Sequence, residues 1–222
     1  MEYPIHLAAI PDGCRRWAEE RGKMPWEGHK KGIETLEEVA KWGFNNTPIK
    51  YFTVYGLSME NLQRPKAQLS ALDRLYSEHF ARIAADEDIH KNEVRVDMIG
   101  REELLPKRIK AAVKKAREET GKYNKRFLYI ALAYSGRAEI IDAVKKVKGE
   151  LTEEAVSKNL YANAPEPDLI IRTAEQRMSN FLLWQGAYAE LYFFDKHWPD
   201  FTIEDLKKAL EAYNERKRRF GK

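Results

Sequence analysis

The feature that most constrains the fold of this chain is the alternation of short apolar segments with amphipathic helical ones. The apolar segments lie at residues 5–10, 49–55, 94–99, 127–134, 168–172 and 191–194. Several are nearly continuous apolar runs, as expected of strands that are buried on both faces. Between them, apolar residues recur at helical spacing, as in Ile33, Leu36 and Ala40. The pattern predicts an α/β fold: a single domain over residues 1–222 with a central, mostly parallel six-stranded sheet flanked by helices.

Composition and charge exclude several classes of protein. Hydrophobic residues make up 43% of the chain, enough for a large core, so the chain is not intrinsically disordered. The formal net charge of +4 is too small to indicate a nucleic-acid partner. A single cysteine excludes a disulfide framework and a multi-thiolate metal site. The five histidines include no His-x-x-x-His pair of the kind found in zinc hydrolases.

The sequence carries no sign of export or of membrane insertion. Its longest apolar runs, such as residues 127–134, are far shorter than the roughly 18 residues that span a bilayer. No basic segment precedes an apolar one near residue 1, so no signal peptide is visible. A single cysteine also fits a reducing compartment. We therefore expect a cytoplasmic protein, with peripheral association at the membrane surface as an option.

Polar clusters of unusual composition begin where predicted strands end. They occupy residues 11–16, 56–61, 135–137 and 173–177. The carboxyl ends of parallel strands share one edge of a sheet, and ligands of open α/β folds bind outside that edge. The sequence therefore predicts that these distant clusters meet at one site.

The first cluster has the composition of an anion site with a metal ligand. Gly13 lets backbone N–H groups approach an anion, and Arg15 and Arg16 offer donor forks that suit phosphate. Asp12 is not needed to bind an anion and therefore predicts Mg²⁺, which commonly takes one or two carboxylates plus phosphate oxygens. The alternative is a surface turn in which Asp12 caps a helix and the arginines are solvated.

A second arginine pair, Arg172 and Arg177, lies late in the chain and is followed by Ser179. Two arginine clusters at one sheet edge indicate that two anionic groups are bound together, which favours a transferase with two phosphorylated substrates. The sequence contains neither Gly-x-x-x-x-Gly-Lys-[Ser/Thr] nor Gly-x-Gly-x-x-Gly. P-loop and dinucleotide-binding proteins therefore lack support.

Several segments resemble, in the same order, the signature motifs of cis-prenyltransferases, the undecaprenyl diphosphate synthase family. They are residues 6–17, 28–30, 55–65, 168–172, 179–185, 189–193 and 198–201. The likeness extends from His6 to the C-terminus. It implies a Mg²⁺-dependent enzyme that condenses isopentenyl diphosphate with an allylic prenyl diphosphate, releasing diphosphate and forming a cis-polyprenyl diphosphate.

The resemblance also implies roles for individual residues. Asp12 would assist departure of the allylic diphosphate through Mg²⁺, with Glu190 as a further metal ligand. Asn61 is the candidate for the proton-removal step. The residues expected to bind the substrates are Gly13, Cys14, Arg15, Arg16, Trp17, His29, Ser58, Met59, Glu60, Arg64, Arg172, Arg177, Met178, Ser179 and Arg219. Of these, Arg172, Arg177 and Ser179 would hold isopentenyl diphosphate.

The same resemblance implies partners. A homodimer is expected, in which the tail Arg219-Phe220-Gly221 of one chain reaches the active site of the other. The product is expected to partition to the membrane, and no nucleic acid is expected to bind.

The chain departs from the family's pattern at several positions. Cys14 and Ala133 each replace a usual asparagine, and Leu62 replaces a usual tryptophan. The segment from Arg172 to Arg177 is one residue shorter than usual. Two alternatives therefore stay open: an irregular, non-head-to-tail prenyl-coupling enzyme on the same fold, and a non-catalytic partner subunit. The product length and the preferred allylic primer are left undetermined.

Overall fold

A computed structural model describes residues 2–216, except for the side chain of residue 84. It contains one sheet with the strand order β3-β4-β2-β1-β5-β6, in which all neighbouring strands pair in parallel. The strands are β1 His6–Ile10, β2 Tyr51–Ser58, β3 Val94–Ile99, β4 Arg126–Tyr134, β5 Leu169–Thr173 and β6 Glu190–Phe194. The predicted six-stranded α/β fold is confirmed, with a sheet that is wholly parallel among the described residues.

The strand that differs most from its prediction is β2. It continues to Ser58, three residues past the predicted end, and its register against β4 shifts at Leu57 and again at Ser58. The polar cluster at residues 56–61 therefore starts inside the strand. The register shifts change the direction in which the last residues of β2 run. A short 3₁₀ helix, Glu60–Gln63, follows the strand.

Helices connect the strands and cover both faces of the sheet. They are α1 Cys14–Glu19, α2 Pro25–Asn46, α3 Lys66–Ala84, α4 Glu87–Lys91, α5 Lys107–Thr120, α6 Gly136–Lys146, α7 Glu153–Ser157 and α8 Ile203–Glu215. The five longer helices are those that apolar periodicity predicts. α1, α4 and α7 are too short to show a helical period. Within the described residues, no helix is both long enough and apolar enough to cross a bilayer.

The core lies on both sides of the sheet because successive strand residues face opposite ways. In β1, Leu7 and Ala9 pack into the larger cluster, which includes buried residues of α2, α3, α5 and α8. Ala8 and Ile10 pack into the smaller cluster on the other face, together with Phe181. This arrangement leaves the carboxyl edge of the sheet as the place where loops converge.

His6 joins β1 to its neighbours through a buried imidazole that is 3% exposed. Its Nδ1 donates to the carbonyl of Pro165 at 2.7 Å, and its Nε2 lies 2.8 Å from the hydroxyl of Thr53. Burial lowers the pKa of His6 to about 4, against weaker raising effects of the Pro165 hydrogen bond and of Asp168. The neutral ring is therefore the form that the fold accommodates.

This pKa predicts a stability change with pH. The unfolded chain binds a proton at His6 near pH 6.5, whereas the folded chain binds it only near pH 4. As pH falls from 6.5 to 4, protonation linked to His6 should therefore lower the free energy of unfolding by about 3 kcal/mol. Above pH 6.5, His6 should not change it. Urea unfolding of the wild type and of His6→Gln across this range measures the difference. Parallel pH profiles of the two proteins would contradict the assignment.

A left-handed turn after β5 is tied to the start of α6. Ser179, Asn180 and Leu182 all have positive φ, at 46°, 65° and 44°. The carbonyl of Asn180 accepts from the N–H of Gly136 at 2.8 Å, and its Oδ1 accepts from the N–H of Arg137 at 2.9 Å. Asn180 thus caps α6 from a distant part of the chain and holds the turn that carries Ser179.

We expect Asn180→Ala to lower the free energy of unfolding by about 2–3 kcal/mol. The substitution removes a helix cap and places an alanine in the left-handed region. Asn180→Gly also removes the cap, but glycine adopts this left-handed conformation without strain. The free energy of unfolding should therefore fall by only about 1 kcal/mol. Urea unfolding of the three proteins tests this order. Equal losses in both variants would show that backbone conformation contributes nothing at this position.

Candidate active site

A cavity of about 660 Å³ opens at the carboxyl edge of the sheet. Its lining includes residues of three of the four predicted clusters, 11–16, 56–61 and 173–177, whereas residues 135–137 do not line it. The charged, serine, asparagine and histidine side chains that line it are Asp12, Arg15, Arg16, His29, Ser58, Glu60, Asn61, Arg64, His79, Arg172, Glu175, Arg177, Ser179 and Asn180. Behind them the lining is apolar. The cavity therefore offers a charged mouth and a hydrocarbon-like interior.

Two carboxylates and three arginines form an ionic cluster at the mouth. Nη2 of Arg172 lies 2.8 Å from both Oδ2 of Asp12 and Oε2 of Glu175. Nη2 of Arg16 lies 3.4 Å from Oδ1 of Asp12 and 3.4 Å from Oε1 of Glu175. Arg177 completes the cluster, with its Nη2 2.5 Å from Glu175. Each acid is thus held between cations that suit phosphate groups.

Arg172 is the buried member of this cluster, with only 3% of its surface exposed. Its Nη1 donates to the hydroxyl of Ser179 at 2.6 Å and to the backbone carbonyl of Arg177. Its Nε is buried and has no hydrogen-bond partner among the described residues. The guanidinium is therefore fixed in place, with its buried Nε left unpaired.

The shortened segment between Arg172 and Arg177 closes as a tight turn. Ala174 takes a left-handed conformation with φ 67°, and the N–H of Glu175 donates to the carbonyl of Thr173 at 2.9 Å. The turn points Glu175 back at Arg172. The missing residue is therefore accommodated without separating the two arginines from Ser179.

Gly13 holds the loop between β1 and α1. Its φ is 92°, a region that favours glycine, and a Cβ built there would lie 2.4 Å from Nδ1 of His197. Its N–H donates to Oδ1 of Asp12 at 2.6 Å, and the N–H of Asp12 donates to Thr173 at 3.0 Å. The loop is thus constrained from both sides, which orients the Asp12 carboxylate.

His29 enters the cavity from α2. Burial, together with the positive charges of Arg64 and Arg15, lowers its pKa to about 4. The ring is therefore neutral at physiological pH. A neutral imidazole between arginines can donate one hydrogen bond to an anion and accept another from a cationic side chain.

Ser58 and Asn61 face the cavity from the end of β2 and the 3₁₀ helix that follows. The N–H of Asn61 donates to the Ser58 hydroxyl at 3.2 Å, and the Asn61 carboxamide oxygen lies 3.4 Å from the Ser58 N–H. Nearby, the hydroxyl of Tyr76 donates to the carbonyl of Gly56 at 2.6 Å. These bonds hold the strand end against α3 and orient the Asn61 side chain.

Three predicted binding residues do not line the cavity. Trp17 lies outside it, where its Nε1 donates to Asp200 at 2.7 Å and the Arg21 guanidinium stacks on the ring at 4.6 Å. Met59 contributes a backbone bond to β4, and Met178 packs in the smaller core cluster. Neighbouring residues take the wall positions in this cavity, and substrate contact by these three residues stays a prediction.

Glu190 is not brought to Asp12 within one chain. It pairs with Leu169 at the amino end of β5, whereas Asp12 bonds to Thr173 at the other end. Four residues of strand separate these points, about 13 Å at ~3.3 Å per residue. Glu190 instead binds Arg216 at 2.6 Å. A metal site that combines the two carboxylates is thus not formed by a single chain. Arg219 lies outside the described residues.

The thiol of Cys14 is a core side chain. It is buried, and burial, with the Asp12 charge, raises its pKa to about 12. A Cβ built on Gly32 would lie 2.6 Å from its Sγ, so the thiol fills the space that this glycine leaves. Cys14 therefore borders the cavity as a packing residue, and its thiol is not poised to bind an anion.

Glu175 is the site residue that sequence reasoning missed. The sequence did contain a signal for it, because Glu175 lies between Arg172 and Arg177. Asp12 was predicted as a metal ligand for the same reason, as a carboxylate next to arginines. Within residues 2–216 no three His, Cys, Asp or Glu residues converge on a metal position. The Asp12 and Glu175 carboxylates nonetheless fit a hard cation that draws its remaining ligands from substrate phosphate and water.

A charged mouth above an apolar cavity suits a ligand with an anionic head and a hydrocarbon chain, and comparison with known proteins agrees. The family model described as "Putative undecaprenyl diphosphate synthase" matches residues 10–221. The chain belongs to this family of cis-prenyltransferases. Two archaeal relatives are named tritrans,polycis-undecaprenyl-diphosphate synthase (geranylgeranyl-diphosphate specific). The Methanocaldococcus jannaschii protein is 48% identical over 99% of this chain and 83% of its own length. The Methanopyrus kandleri protein is 46% identical over 99% and 85%.

The solved structures agree with the fold. Lavandulyl diphosphate synthase from Lavandula x intermedia, in complex with dimethylallyl diphosphate, superposes with a TM-score of 0.91. The identity is 31%, and the match covers 99% of each chain. The architecture of the described residues is therefore that of a known cis-prenyltransferase-family structure.

The geometry at Gly13 predicts a steric and functional effect. Gly13→Ala should lower the unfolding free energy by about 3 kcal/mol, because backbone strain adds to the clash with His197. Prenyl transfer should fall with it, because Asp12 is displaced. Gly22→Ala is the matched control: its φ is 64° with no atom within 4 Å of the added Cβ, so only about 1 kcal/mol is expected. Equal losses in thermal unfolding would contradict a close contact at Gly13.

Proposed function

We propose that this enzyme elongates an allylic prenyl diphosphate with isopentenyl diphosphate and forms a cis-polyprenyl diphosphate. The observation that carries the proposal is the cavity itself, with two arginine-bearing loops at its mouth and apolar helices behind. One group of cations suits each diphosphate. The apolar interior suits the hydrocarbon of the growing chain.

The allylic diphosphate is assigned to the loop between β1 and α1. Arg15 and Arg16 supply cationic donors there, and His29 supplies a neutral one. Their combined donors balance the charge that grows on the diphosphate as its bond to the allylic carbon breaks. The leaving diphosphate takes the electron pair of the carbon–oxygen bond.

Isopentenyl diphosphate is assigned to Arg172, Arg177 and Ser179. The fixed guanidinium of Arg172, and the position of all three residues in the cavity wall, support this assignment. The double bond of the bound substrate attacks the allylic carbon and forms the new carbon–carbon bond. A proton is then lost to restore a double bond. Asn61, ordered by Ser58, is the candidate that directs this proton loss.

Mg²⁺ is the metal that we assign to this site. Asp12 would hold it together with substrate phosphate, and Glu175 is placed to assist. When bound, the ion neutralises diphosphate charge and so makes departure of the leaving group easier. The arginines orient the two carboxylates toward the same space.

The two alternative functions gain no support. The relatives at 46–48% identity are named as undecaprenyl diphosphate synthases, which are neither irregular coupling enzymes nor non-catalytic subunits. The mouth also retains Asp12, Arg172 and Asn61 in one cavity, and a subunit without chemistry has no need of that arrangement.

We also propose that residues 1–222 form one catalytic domain that works as a homodimer. Exposed apolar side chains support this, with Tyr188 71% and Ile141 53% exposed. Leu183 is a further exposed apolar residue and lies against Gly136 at the start of α6, so these segments are close together. We further propose that the enzyme is cytoplasmic and that its amphiphilic product partitions to the membrane.

Asp12→Asn should reduce turnover roughly a thousandfold with little effect on folding, because it removes metal-assisted ionisation, which is worth several kcal/mol. The assay combines purified protein, Mg²⁺, allylic diphosphates and labelled isopentenyl diphosphate, and identifies the products. Asp200→Asn is the matched control, since Asp200 is a carboxylate near α1 that does not line the cavity. It should retain wild-type turnover. Near-native turnover in Asp12→Asn would place the metal elsewhere.

A further inference from the structure

His197 lies in the loop that follows β6, directly before a short 3₁₀ helix, Trp198–Asp200. The backbone N–H of Trp198 donates to the carbonyl of Asp12 at 2.9 Å, so this loop lies against the loop between β1 and α1. A Cβ built on Gly13 would clash with Nδ1 of His197 and lie 3.0 Å from its Cγ. The imidazole therefore occupies the space where any other residue at position 13 would carry its side chain.

Glu20 holds the other side of this imidazole. Its Oε1 lies 2.8 Å from Nε2 of His197. A carboxylate oxygen accepts, so Nε2 donates and Nδ1 is the ring nitrogen that faces Gly13. Nδ1 is buried and has no hydrogen-bond partner among the residues that the structure describes. The ring is thus packed on Gly13 at one edge and anchored by Glu20 at the other.

This anchor belongs to a network between α1 and the loop after β6. Nη2 of Arg21 lies 3.1 Å from Oδ2 of Asp200, and Nε1 of Trp17 donates to Oδ1 of Asp200 at 2.7 Å. Glu20 directly follows α1 and pairs with His197. These contacts join α1 to the loop at two places, and none of the five residues lines the cavity. The network can therefore affect a substrate only through the residues that it holds.

Gly13 needs a restraint because of its own conformational freedom. Glycine populates positive and negative φ about as readily, so the residue itself does not fix its φ of 92°. In this conformation the N–H of Gly13 donates to Oδ1 of Asp12 at 2.6 Å. Rotation of the Gly13 backbone would withdraw that donor and release the carboxylate. The ring of His197 blocks one side of Gly13 and so limits this rotation.

We propose that His197, anchored by Glu20, is a positioning residue that keeps the Asp12 carboxylate oriented for the metal ion of the allylic diphosphate. The ring acts through Gly13 and does not touch the substrate. The inference rests on the proposed function, because that function assigns the metal ion and the allylic diphosphate to this loop.

Binding without turnover tests this role. Titration calorimetry measures the affinity for farnesyl diphosphate, an allylic diphosphate, with and without Mg²⁺ and in the absence of isopentenyl diphosphate. In the wild type, Mg²⁺ should raise this affinity. In His197→Ala, the gain due to Mg²⁺ should be about tenfold smaller, because removing a residue that orients a metal ligand weakens metal binding. The affinity without Mg²⁺ should stay close to that of the wild type.

Steady-state kinetics give a second measurement. The Mg²⁺ concentration for half-maximal turnover should rise about tenfold in His197→Ala. The KM for isopentenyl diphosphate should not change, because Arg172, Arg177 and Ser179 are held without His197. A general loss of structure would affect both substrates, so this difference separates positioning from stability.

Two further variants separate the anchor from the bulk of the ring. His197→Gln keeps a donor for Glu20 and much of the volume, so it should recover most of the Mg²⁺ effect. Glu20→Ala leaves the ring in place without its anchor and should give a smaller loss in the same direction. The Glu20 side chain is 57% exposed, so this variant should fold like the wild type.

His90→Ala is the matched control. His90 is also a half-buried histidine, its Nδ1 lies 2.9 Å from the hydroxyl of Tyr123, and it does not line the cavity. This variant should show the wild-type gain in affinity with Mg²⁺. Thermal unfolding verifies that each variant is folded.

An unchanged Mg²⁺ gain in a folded His197→Ala would overturn the proposal, and so would an equal loss in His90→Ala. If His197→Ala does not fold, an unchanged gain in Glu20→Ala overturns it. A wild type whose affinity for farnesyl diphosphate does not respond to Mg²⁺ would contradict the metal assignment of the proposed function, and the role of His197 with it.

Discussion

The buried guanidinium of Arg172 is the constraint on which the rest of the site depends. A cation that is 3% exposed needs partners, and it takes them from Asp12, Glu175 and Ser179. Asp12 lies 160 residues earlier in the sequence, and the bond between them forms because β1 and β5 are adjacent and parallel. The cluster adds to the bonds between Asp12 and Thr173 that join the loops after β1 and β5. Binding of diphosphate therefore begins from a structure that is already charged and oriented.

The cavity combines two environments because of how its walls are built. At the carboxyl edge, loops place charged side chains around Asp12 and Arg64, where solvent reaches them. Further in, α2 and α3 present one apolar face each, and the sheet closes the remaining side with Val54 and Ile130. A diphosphate that carries a hydrocarbon chain meets both requirements at once.

Local departures from regular backbone help to hold this edge together. Ala133 has φ 45° at the end of β4, a conformation that asparagine tolerates better than alanine. This gives a physical reason why the related proteins that the sequence resembles carry asparagine there. Ala174 and the turn from Ser179 to Leu182 are left-handed as well, and Asn180 links that turn to α6. Strain in these segments is offset by hydrogen bonds that hold Ser179 beside Arg172.

The sequence by itself determined the fold class, the six strands and most of the cavity's polar residues, because apolar periodicity and clusters at strand ends are local signals. Tertiary structure decided which candidates meet. The Trp17 side chain donates to Asp200, outside the cavity. Glu190 lies at the amino end of β6, away from Asp12. Both positions depend on the register and packing of neighbouring elements. Glu175 entered the site through a tight turn whose geometry no local pattern predicts. Pairwise contacts across 160 residues are set by the assembled sheet, and composition alone does not encode them.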